Sequence, residues 1–292
     1  KENTIATKYK SREVFCGAAV APANLVGQVC ASVDLVTLLG RSQSHEEVIR
    51  ANLNPHVNLV PFYREGGQTT VKSRLVDPAY VKKLIEVAYI SDEALPAAEQ
   101  ATLNGWVEKN IANYDAVIVN DFGHGMIDDG LVDIVSRKSR FLAVNAQTNS
   151  ANRGFNLITK YPRADFICID EPEARLAAVE RYAPIETVVR EKLQKKINCH
   201  TFVITHGKLG SIVYTPQAGV KRIPALTGEA IDTIGAGDAF FALASPLLAA
   251  GSDPYLAAFI GNAVGAMKVR IVGQRHQITK PEILKYLSTL LK

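Results

Sequence analysis

A glycine-rich turn between two aspartates lies near the end of the chain, in the segment DTIGAGDAF at 232–240. Gly235, Ala236 and Gly237 carry little or no side chain, so their backbone N–H groups can approach an anion closely. If a helix begins at this turn, its positive dipole end adds to the attraction. Asp238 would then lie in the first helical turn, where it can accept a proton from an attacking hydroxyl. The segment therefore predicts an anion hole with a base beside it, as phosphoryl transfer requires.

A purely structural role accounts for the same residues without chemistry. In that alternative Asp232 or Thr233 caps the helix, and Asp238 only complements the helix dipole. Two other phosphate-binding motifs are disfavoured by the spacing. The turn is not G-x-G-x-x-G, and the chain contains no G-x-x-x-x-G-K-S/T, so neither a Rossmann dinucleotide site nor a P-loop is expected.

The elements that would position this turn follow a regular pattern from about residue 115 onward. Short β-branched runs alternate with amphipathic stretches, which is typical of parallel βα units. Buried strands are predicted at 116–120, 141–144, 166–169 and 202–205. Amphipathic helices are predicted between them, and further helices near Ala236, Pro254 and Pro281. The fold class is therefore α/β, with a mostly parallel sheet.

The N-terminal third is less regular. A strand is predicted at 33–40, and another at 69–77, where Lys72 and Arg74 alternate onto one face. A cationic face would be wasted in a doubly covered parallel sheet, so we predict that residues of about 60–80 contribute to a small β lid. The alternative is that both charges merely protect a strand edge from aggregation.

Composition limits the function classes. Of the 292 residues, 47% are hydrophobic and 21% charged, and the formal net charge of +4 is spread along the chain. No nucleic-acid or membrane role follows from such a pattern. The four cysteines and six histidines lack the spacing of metal ligands, so reduced thiols and no structural metal are expected. With no signal-peptide pattern at the N-terminus, a cytoplasmic protein is expected.

The segment DTIGAGDAFFA resembles the C-terminal motif of the ribokinase-like (PfkB) carbohydrate kinases, and the resemblance runs from about Val14 to Gly273. It implies one ribokinase-like domain over 1–292, with helices on both faces of the central sheet and a β lid. The strand that opens other members is not visible before Val14. The resemblance also implies an ATP-dependent, Mg²⁺-dependent phosphotransferase in which the turn holds the transferred phosphoryl group and Asp238 is the catalytic base.

Further segments match the nucleotide and metal elements of that family. The stretch VITHGKLGS at 203–211 resembles the nucleotide segment, with a tight hairpin at its last glycine. The helix and loop at 261–273 resemble the elements that flank the adenine. The nucleotide-binding residues implied are Thr205, Gly207, Gly210, Asp232 and Asn262. In IDEPEARL, Glu173 matches the glutamate that helps hold Mg²⁺ through water, while Asp170 replaces an asparagine.

The acceptor side resembles the heptose-phosphate kinase branch of the family. CGAAVAPANL at 16–25 is similar to the sugar-binding stretch, although Cys16 and Val20 depart from it. DFGHGMI at 121–127 is similar to D-Y/F-G-K-G, with His124 in place of lysine. The lid strand at 69–77 would read a phosphate already on the sugar. The substrate-binding residues implied are Gly17, Asn24, Lys72, Arg74, Asp121 and Asn145.

The expected activity is phosphorylation of a sugar or sugar-phosphate hydroxyl for nucleotide-sugar (heptose-like) biosynthesis. A nucleoside kinase is one alternative. A catalytically silent sensor of nucleotides or sugar phosphates is another, suggested by the replacements at Cys16, Val20, Asn145 and Asp170. The resemblance also implies two partners: a second copy bound through the lid, and a fused nucleotidyltransferase domain outside this chain, since no H-x-G-H motif occurs here.

Overall fold

The computed structural model describes residues 6–77, 79–149 and 151–292. The strands are β1 Val33–Ser42, β2 Val57–Gln68, β3 Val71–Asp77, β4 Lys82–Tyr89, β5 Val117–Asp121, β6 Leu142–Ala146, β7 Arg163–Asp170, β8 Asn198–Thr205, β9 Ser211–Thr215 and β10 Gly219–Ile223. The helices are α1 Val20–Val26, α2 Glu46–Ala51, α3 Ala97–Asn110, α4 Asp129–Lys138, α5 Glu171–Ala178, α6 Ile185–Thr187, α7 Gln194–Lys196, α8 Ala236–Ala249, α9 Pro254–Lys268 and α10 Lys280–Leu290. A π-helical turn, Val188–Leu193, joins α6 to α7.

The main sheet has six strands in the order β10-β9-β8-β7-β6-β5. The four strands from β5 to β8 run parallel, and β9 and β10 add an antiparallel edge. All four predicted strands of this region are confirmed, as is the mostly parallel sheet. Helices cover both faces of the sheet, so these strands have no face that is left to water. The strands therefore contain continuous apolar runs instead of an alternating pattern.

Each face of the main sheet has its own core. On one face, α3, α4 and α5 pack with Leu103 and Ile167 at the centre of the larger cluster. On the other face, α8 and α9 pack against the sheet, and the rings of Phe166 and Phe241 meet with centroids 5.7 Å apart. This packing places the first turn of α8 at the edge where the parallel strands end.

Two smaller sheets lie outside the main one. β1 and β2 pair in parallel, and β3 and β4 form an antiparallel hairpin. Within the described residues, β1 pairs only with β2, and β5 pairs only with β6. The unpaired sides of β1 and β5 are open, and residues of both strands line one large cavity. Residues 60–68 lie in β2 and the hairpin extends to Tyr89, and the assignment of residues of about 60–80 to a lid stays a prediction. The sequence KKLIEVAY of β4 has no alternation, so periodicity could not reveal it.

No helix in the described part of the chain combines the length and the apolarity that crossing a bilayer requires. The extent of the domain, predicted as 1–292, stays a prediction.

Candidate active site

A large cavity opens at the carboxyl ends of β5 to β8, where open α/β sheets bind their ligands. The cavity also extends along β5 towards Tyr114 and to the end of α8 at Ala249, so its whole volume of about 3000 Å³ exceeds the ~300–1,000 Å³ of a typical small-molecule site. Every residue singled out from the sequence except Asn24 lines it. The fold thus brings together the glycine turn, the nucleotide segment, Glu173 and the lid strand, which lie far apart in the sequence.

The glycine turn opens α8 without any side-chain cap. Gly235 is the N-cap residue and has the left-handed φ of 78°, which favours glycine. The capping alternative, with Asp232 or Thr233 as the cap, is therefore wrong. The amide of Ala236 donates to Thr233 O at 3.3 Å, whereas the amides of Gly235 and Gly237 have no acceptor in the part of the chain that the structure describes. Two free N–H groups thus remain for an anion.

Asp238 lies in the first turn of α8 and lines the cavity, partly buried. Gln147 Nε2 donates to Asp238 Oδ1 at 2.6 Å. Burial raises the pKa of Asp238 to about 6, against the lowering effects of this hydrogen bond and of the charge of Lys268. A carboxylate with this pKa is mostly ionised at neutral pH and still basic enough to take a proton.

The position of Gln147 leads to a prediction about pH dependence. We expect kcat/KM to rise with pH through about 6, because Asp238 accepts a proton only when ionised. Gln147→Leu removes a donor that favours the ionised carboxylate, so the pKa rises and this limb of the profile moves to higher pH. The rate should fall several-fold at pH 6 and less at pH 8. The control is Gln217→Leu, a substitution at an exposed position. If the limb of Gln147→Leu is unshifted, like that of the control, the limb does not report the ionisation of Asp238.

Glu173 lies at the start of α5 and is only 8% exposed. Its carboxylate accepts hydrogen bonds from Asp170 N at 2.9 Å and Thr148 N at 2.9 Å, while Asp170 Oδ1 accepts from Glu173 N at 2.8 Å. This is a capping box, so the two residues fix the helix start. Burial, followed by the negative charge of Asp170, raises the pKa of Glu173 to about 7.

The chemistry of these side chains fits a divalent cation. The carboxylates of Asp170 and Asp238 are close enough to raise the pKa of Glu173 by their charge. Within the described ranges no Lys or Arg forms an ion pair with Glu173, and no group of three or more His, Cys, Asp or Glu side chains could hold a metal by itself. Mg²⁺ typically uses one or two carboxylates, water and substrate phosphates, so Glu173 suits a cation that arrives with a nucleotide.

The nucleotide segment forms the hairpin between β8 and β9. Thr205 ends β8, Gly207 has φ 54° and Gly210 has φ 87°. A Cβ on Gly210 would lie 2.0 Å from a carbonyl oxygen of β10, so only glycine is tolerated and the tight hairpin is confirmed. Asn262 Nδ2 donates to Ser211 Oγ at 3.1 Å and ties α9 to this hairpin. The nucleotide contacts of these residues stay predictions.

Asp232 connects the glycine turn to the lid. Its carboxylate accepts from Lys83 Nζ on β4 at 2.6 Å, from Gly273 N at 3.0 Å and from Ile234 N at 3.1 Å. Burial alone would raise the pKa of Asp232, yet these hydrogen bonds together lower it. With both oxygens occupied, Asp232 acts as a structural link, and its predicted contact with the nucleotide stays a prediction.

On the acceptor side, Gly17 precedes α1 and lines the cavity with open space around it. Asn24 does not line it. Asn24 Nδ2 donates to Asn52 O at 2.8 Å, and Asn54 N donates to Asn24 Oδ1 at 2.8 Å. Asn24 therefore joins α1 to the segment after α2, and its predicted contact with the sugar stays a prediction. A buried amide must satisfy its own polar groups, and here the backbone does so.

Asp121, at the end of β5, also has an internal role. Its Oδ2 accepts from Tyr161 Oη at 2.7 Å and Lys160 Nζ at 2.5 Å, and its Oδ1 accepts from Gly123 N at 3.0 Å and Asn156 Nδ2 at 3.2 Å. The side chain is 3% exposed. Asp121 thus anchors the loop after β6, and its predicted contact with the substrate stays a prediction.

Several buried polar atoms at this edge of the sheet have no partner in the described residues, and two of them, on Asn145 and His124, belong to segments predicted to bind the acceptor. Asn145 Nδ2 donates to Cys168 O at 2.7 Å, but Asn145 Oδ1 is buried without a partner in the described residues. His124 Nε2 is buried in the same condition, and both residues line the cavity. Because a buried polar atom without a hydrogen bond costs free energy, these two atoms are candidates for contact with a bound ligand.

The lid strand carries both predicted cations on one face, but their surroundings differ. Arg74 Nε forms an ion pair with Glu86 Oε2 across the hairpin at 2.7 Å. Lys72 forms no ion pair in the described part of the chain, and it lines the cavity. Burial and then the charge of Lys72 lower the pKa of His124. Lys72 is therefore the free cation of the two.

Three residues around the turn were not among the sequence-based candidates: Gln147, Lys83 and Lys268. Gln147 follows the predicted strand at 141–144, so its position at the carboxyl edge was a usable indication. Lys83 lies in β4, a strand without alternation, and Lys268 lies at the end of α9, an apolar helix. Nothing in their local sequence indicates that they meet the turn.

Comparisons with known proteins agree with this arrangement. Residues 9–281 match the family described as pfkB family carbohydrate kinase. The bifunctional protein HldE of Pelobacter propionicus is 20% identical over 263 residues, which cover 89% of this chain and 53% of that protein. HldE of Coxiella burnetii is 25% identical over 274 residues, covering 93% and 55%. The chain spans about half the length of these curated relatives.

Solved structures share the fold. Escherichia coli phosphofructokinase-2 in complex with potassium aligns with a TM-score of 0.76 at 14% identity, covering 99% of this chain and 94% of that one. Thermotoga maritima ribokinase aligns with a TM-score of 0.70 at 17% identity, covering 97% and 91%. Burkholderia thailandensis nucleoside kinase in complex with inosine aligns with a TM-score of 0.66 at 17% identity, covering 96% and 90%. The predicted ribokinase-like fold is confirmed.

Proposed function

The chain belongs to the pfkB family of carbohydrate kinases, and on this basis we propose that it transfers the γ-phosphoryl group of ATP to a hydroxyl of a sugar or sugar phosphate. The observation that carries the proposal is the pairing of Asp238 with an uncapped helix start in one cavity. The carboxylate has a pKa of about 6, and two amides beside it have no acceptor among the described residues. A base and an anion hole at adjacent positions are the parts that phosphoryl transfer needs.

In the proposed mechanism each protein group has one task. Asp238 accepts the proton of the attacking hydroxyl, and Gln147 holds the carboxylate in place through its 2.6 Å hydrogen bond. The amides of Gly235 and Gly237 face the negative charge that develops on the transferred group, together with the dipole of α8. Glu173 would hold Mg²⁺ through water, since both of its oxygens already accept backbone hydrogen bonds, and the ion would neutralise phosphate charge when bound.

For the acceptor we propose a phosphorylated sugar of the heptose type. The support is the environment of Lys72, a cation without an ion pair in the described residues, beside the unpartnered His124 Nε2. An anion in the cavity would find a positive charge and a hydrogen-bonding ring there. The relatives named HldE are consistent with this choice, at 20% to 25% identity.

The selectivity of Lys72 gives a testable prediction. Lys72→Met should weaken binding of a sugar phosphate by roughly tenfold or more, the loss of one charge-assisted hydrogen bond, and leave the free sugar nearly untouched. Arg74→Met should have a smaller effect, because Glu86 already holds the guanidinium. Calorimetry with the two sugars measures the contrast. Lys82→Met, a lid lysine that does not line the cavity, is the control. Equal losses for both sugars would restrict the acceptor to a free sugar or another alcohol.

The activity itself is tested by ADP release from ATP over a panel of sugars, sugar phosphates and nucleosides. Release with sugar phosphates supports the proposal, and release only with nucleosides supports the nucleoside kinase. Tight binding without ADP release would support the silent sensor, the alternative suggested by the replacements at Cys16, Val20, Asn145 and Asp170. Of the three functions, only the sensor has no use for Asp238 as a proton acceptor, so it does not explain the raised pKa of this cavity-lining carboxylate.

Two partners are also proposed. The lid exposes the apolar side chains of Leu75, Ile85 and Val87. Leu75 pairs with Ile85 across β3 and β4, and Val87 lies two residues further along β4. Exposed apolar strands favour a second copy as the partner, and a monomeric mass in solution would contradict a lid-mediated dimer. A fused nucleotidyltransferase domain is proposed from the greater length of the relatives. The mass of the natural polypeptide tests it.

A further inference from the structure

Lys268 is a buried lysine next to the glycine turn. It ends α9, and the residue is only 4% exposed. A Cβ on Gly235 would lie 3.6 Å from Lys268 Cε and 3.9 Å from Asp238 Oδ2, so the lysine stem runs along the start of α8. The same three residues line a second, smaller cavity of about 110 Å³. The ammonium group is therefore part of the immediate surroundings of the proposed anion hole.

The acceptors of this ammonium are backbone carbonyl oxygens. Lys268 Nζ donates to Gly273 O at 2.7 Å and, more weakly, to Ile271 O at 3.4 Å. No carboxylate forms an ion pair with it in the described ranges. A buried charge is normally paired, because desolvation is costly. Burial lowers the pKa of Lys268, while the nearby charges of Asp232 and Asp238, which do not contact the ammonium, act in the opposite direction.

The carbonyl oxygens belong to a segment that is fastened to the turn. Ile231 N and Asp232 N both donate to Val269 O, at 2.8 and 3.0 Å, and Gly273 N donates to Asp232 Oδ2 at 3.0 Å. The ammonium of Lys268 adds a further link by donating a hydrogen bond to Gly273 O. Residues 269–273 and the turn are therefore joined by hydrogen bonds, with the ammonium enclosed between them.

We propose that Lys268 is a built-in monovalent cation, which occupies a carbonyl cradle beside the anion-hole turn and positions that turn for phosphoryl transfer. An ammonium and K⁺ are similar in size and charge, and backbone carbonyl oxygens bind both. The wild-type protein therefore requires no added monovalent cation for activity or for stability of this region. The kinetic part rests on the proposed kinase activity, whereas the occupancy of the cradle can be tested without turnover.

The test compares two substitutions under salts of equal ionic strength. Lys268→Ala vacates the cradle, so K⁺ or NH₄⁺ can enter it, whereas Lys268→Met fills the same space without charge. Lys109→Ala, an exposed lysine in the last turn of α3, controls for the helix dipole. Melting temperature and ADP release are measured in NaCl, KCl, NH₄Cl and choline chloride.

We expect the wild type and Lys109→Ala to respond equally to all four salts. Lys268→Ala should lose at least about tenfold in rate in NaCl and regain most of it in KCl or NH₄Cl, because the cation restores the lost electrostatic support. Its melting temperature should rise with the same two salts. Lys268→Met should be impaired in every salt.

Three outcomes would overturn the proposal. One is a wild type whose melting temperature or rate rises selectively with K⁺, which would show that the cradle needs a metal. Another is a folded Lys268→Ala without any selective response to K⁺ or NH₄⁺. The third is a Lys268→Met variant as active as the wild type, which would reduce the lysine to space filling. If no substrate gives ADP, the melting temperatures still show whether a cation can occupy the cradle. Failure of the proposed kinase activity can therefore be distinguished from failure of this proposal.

Discussion

Asp238→Asn is expected to lower the rate of phosphoryl transfer by about a hundredfold or more while leaving ATP affinity within a few fold. Asparagine nearly matches the shape of aspartate but cannot accept the hydroxyl proton. Gln147 can keep its hydrogen bond, because the new amide still offers an oxygen that accepts from Gln147 Nε2, so the turn is preserved. ADP release under saturating substrates measures the loss, and calorimetry with ATP measures the affinity.

The matched control is Asp129→Asn. Asp129 also lies in the first turn of a helix, α4, but it is exposed and does not line the cavity. If Asp238 only complemented the dipole of α8, the two substitutions would have similar, small effects. A wild-type rate in folded Asp238→Asn would remove Asp238 as the base and leave the anion hole without its proton acceptor.

The fold was largely predictable because its central strands are covered on both faces. The runs at 166–169 and 202–205 are almost wholly apolar and lie between amphipathic stretches, a pattern typical of buried parallel strands. The lid was less predictable. Every residue of β4 is exposed, so no buried face imposed an alternating pattern on it.

The candidate site divides in the same way. The turn at 235–238 has a local reason for its sequence, since a left-handed φ and close approach to an anion both require small residues. Asn24 and Asp121 were assigned to the substrate by resemblance, but the polar groups they satisfy come from distant segments of the chain. Lys83 and Lys268 meet Asp232 and the turn only through tertiary packing, which no local pattern records.

The anion hole gives the second large effect. Gly237→Val should lower the rate by about a hundredfold or more, because a branched side chain at this position would keep a phosphoryl group away from the free amides. The protein itself has room for the change. A Cβ on Gly237 meets no atom within 4 Å, and the backbone there is not in the left-handed region. Valine costs less than glycine inside a helix, so stability should not fall.

Gly105→Val is the control for this substitution. Gly105 lies within α3, where an added Cβ also meets nothing within 4 Å, but it does not line the cavity. Both variants should melt near the wild-type temperature, and only Gly237→Val should lose activity, with Gly237→Ala between them. Gly235 is unsuitable for the test, because its φ of 78° would strain any other residue. An unchanged rate in folded Gly237→Val would mean that no phosphoryl group approaches these amides, and α8 would then only carry Asp238.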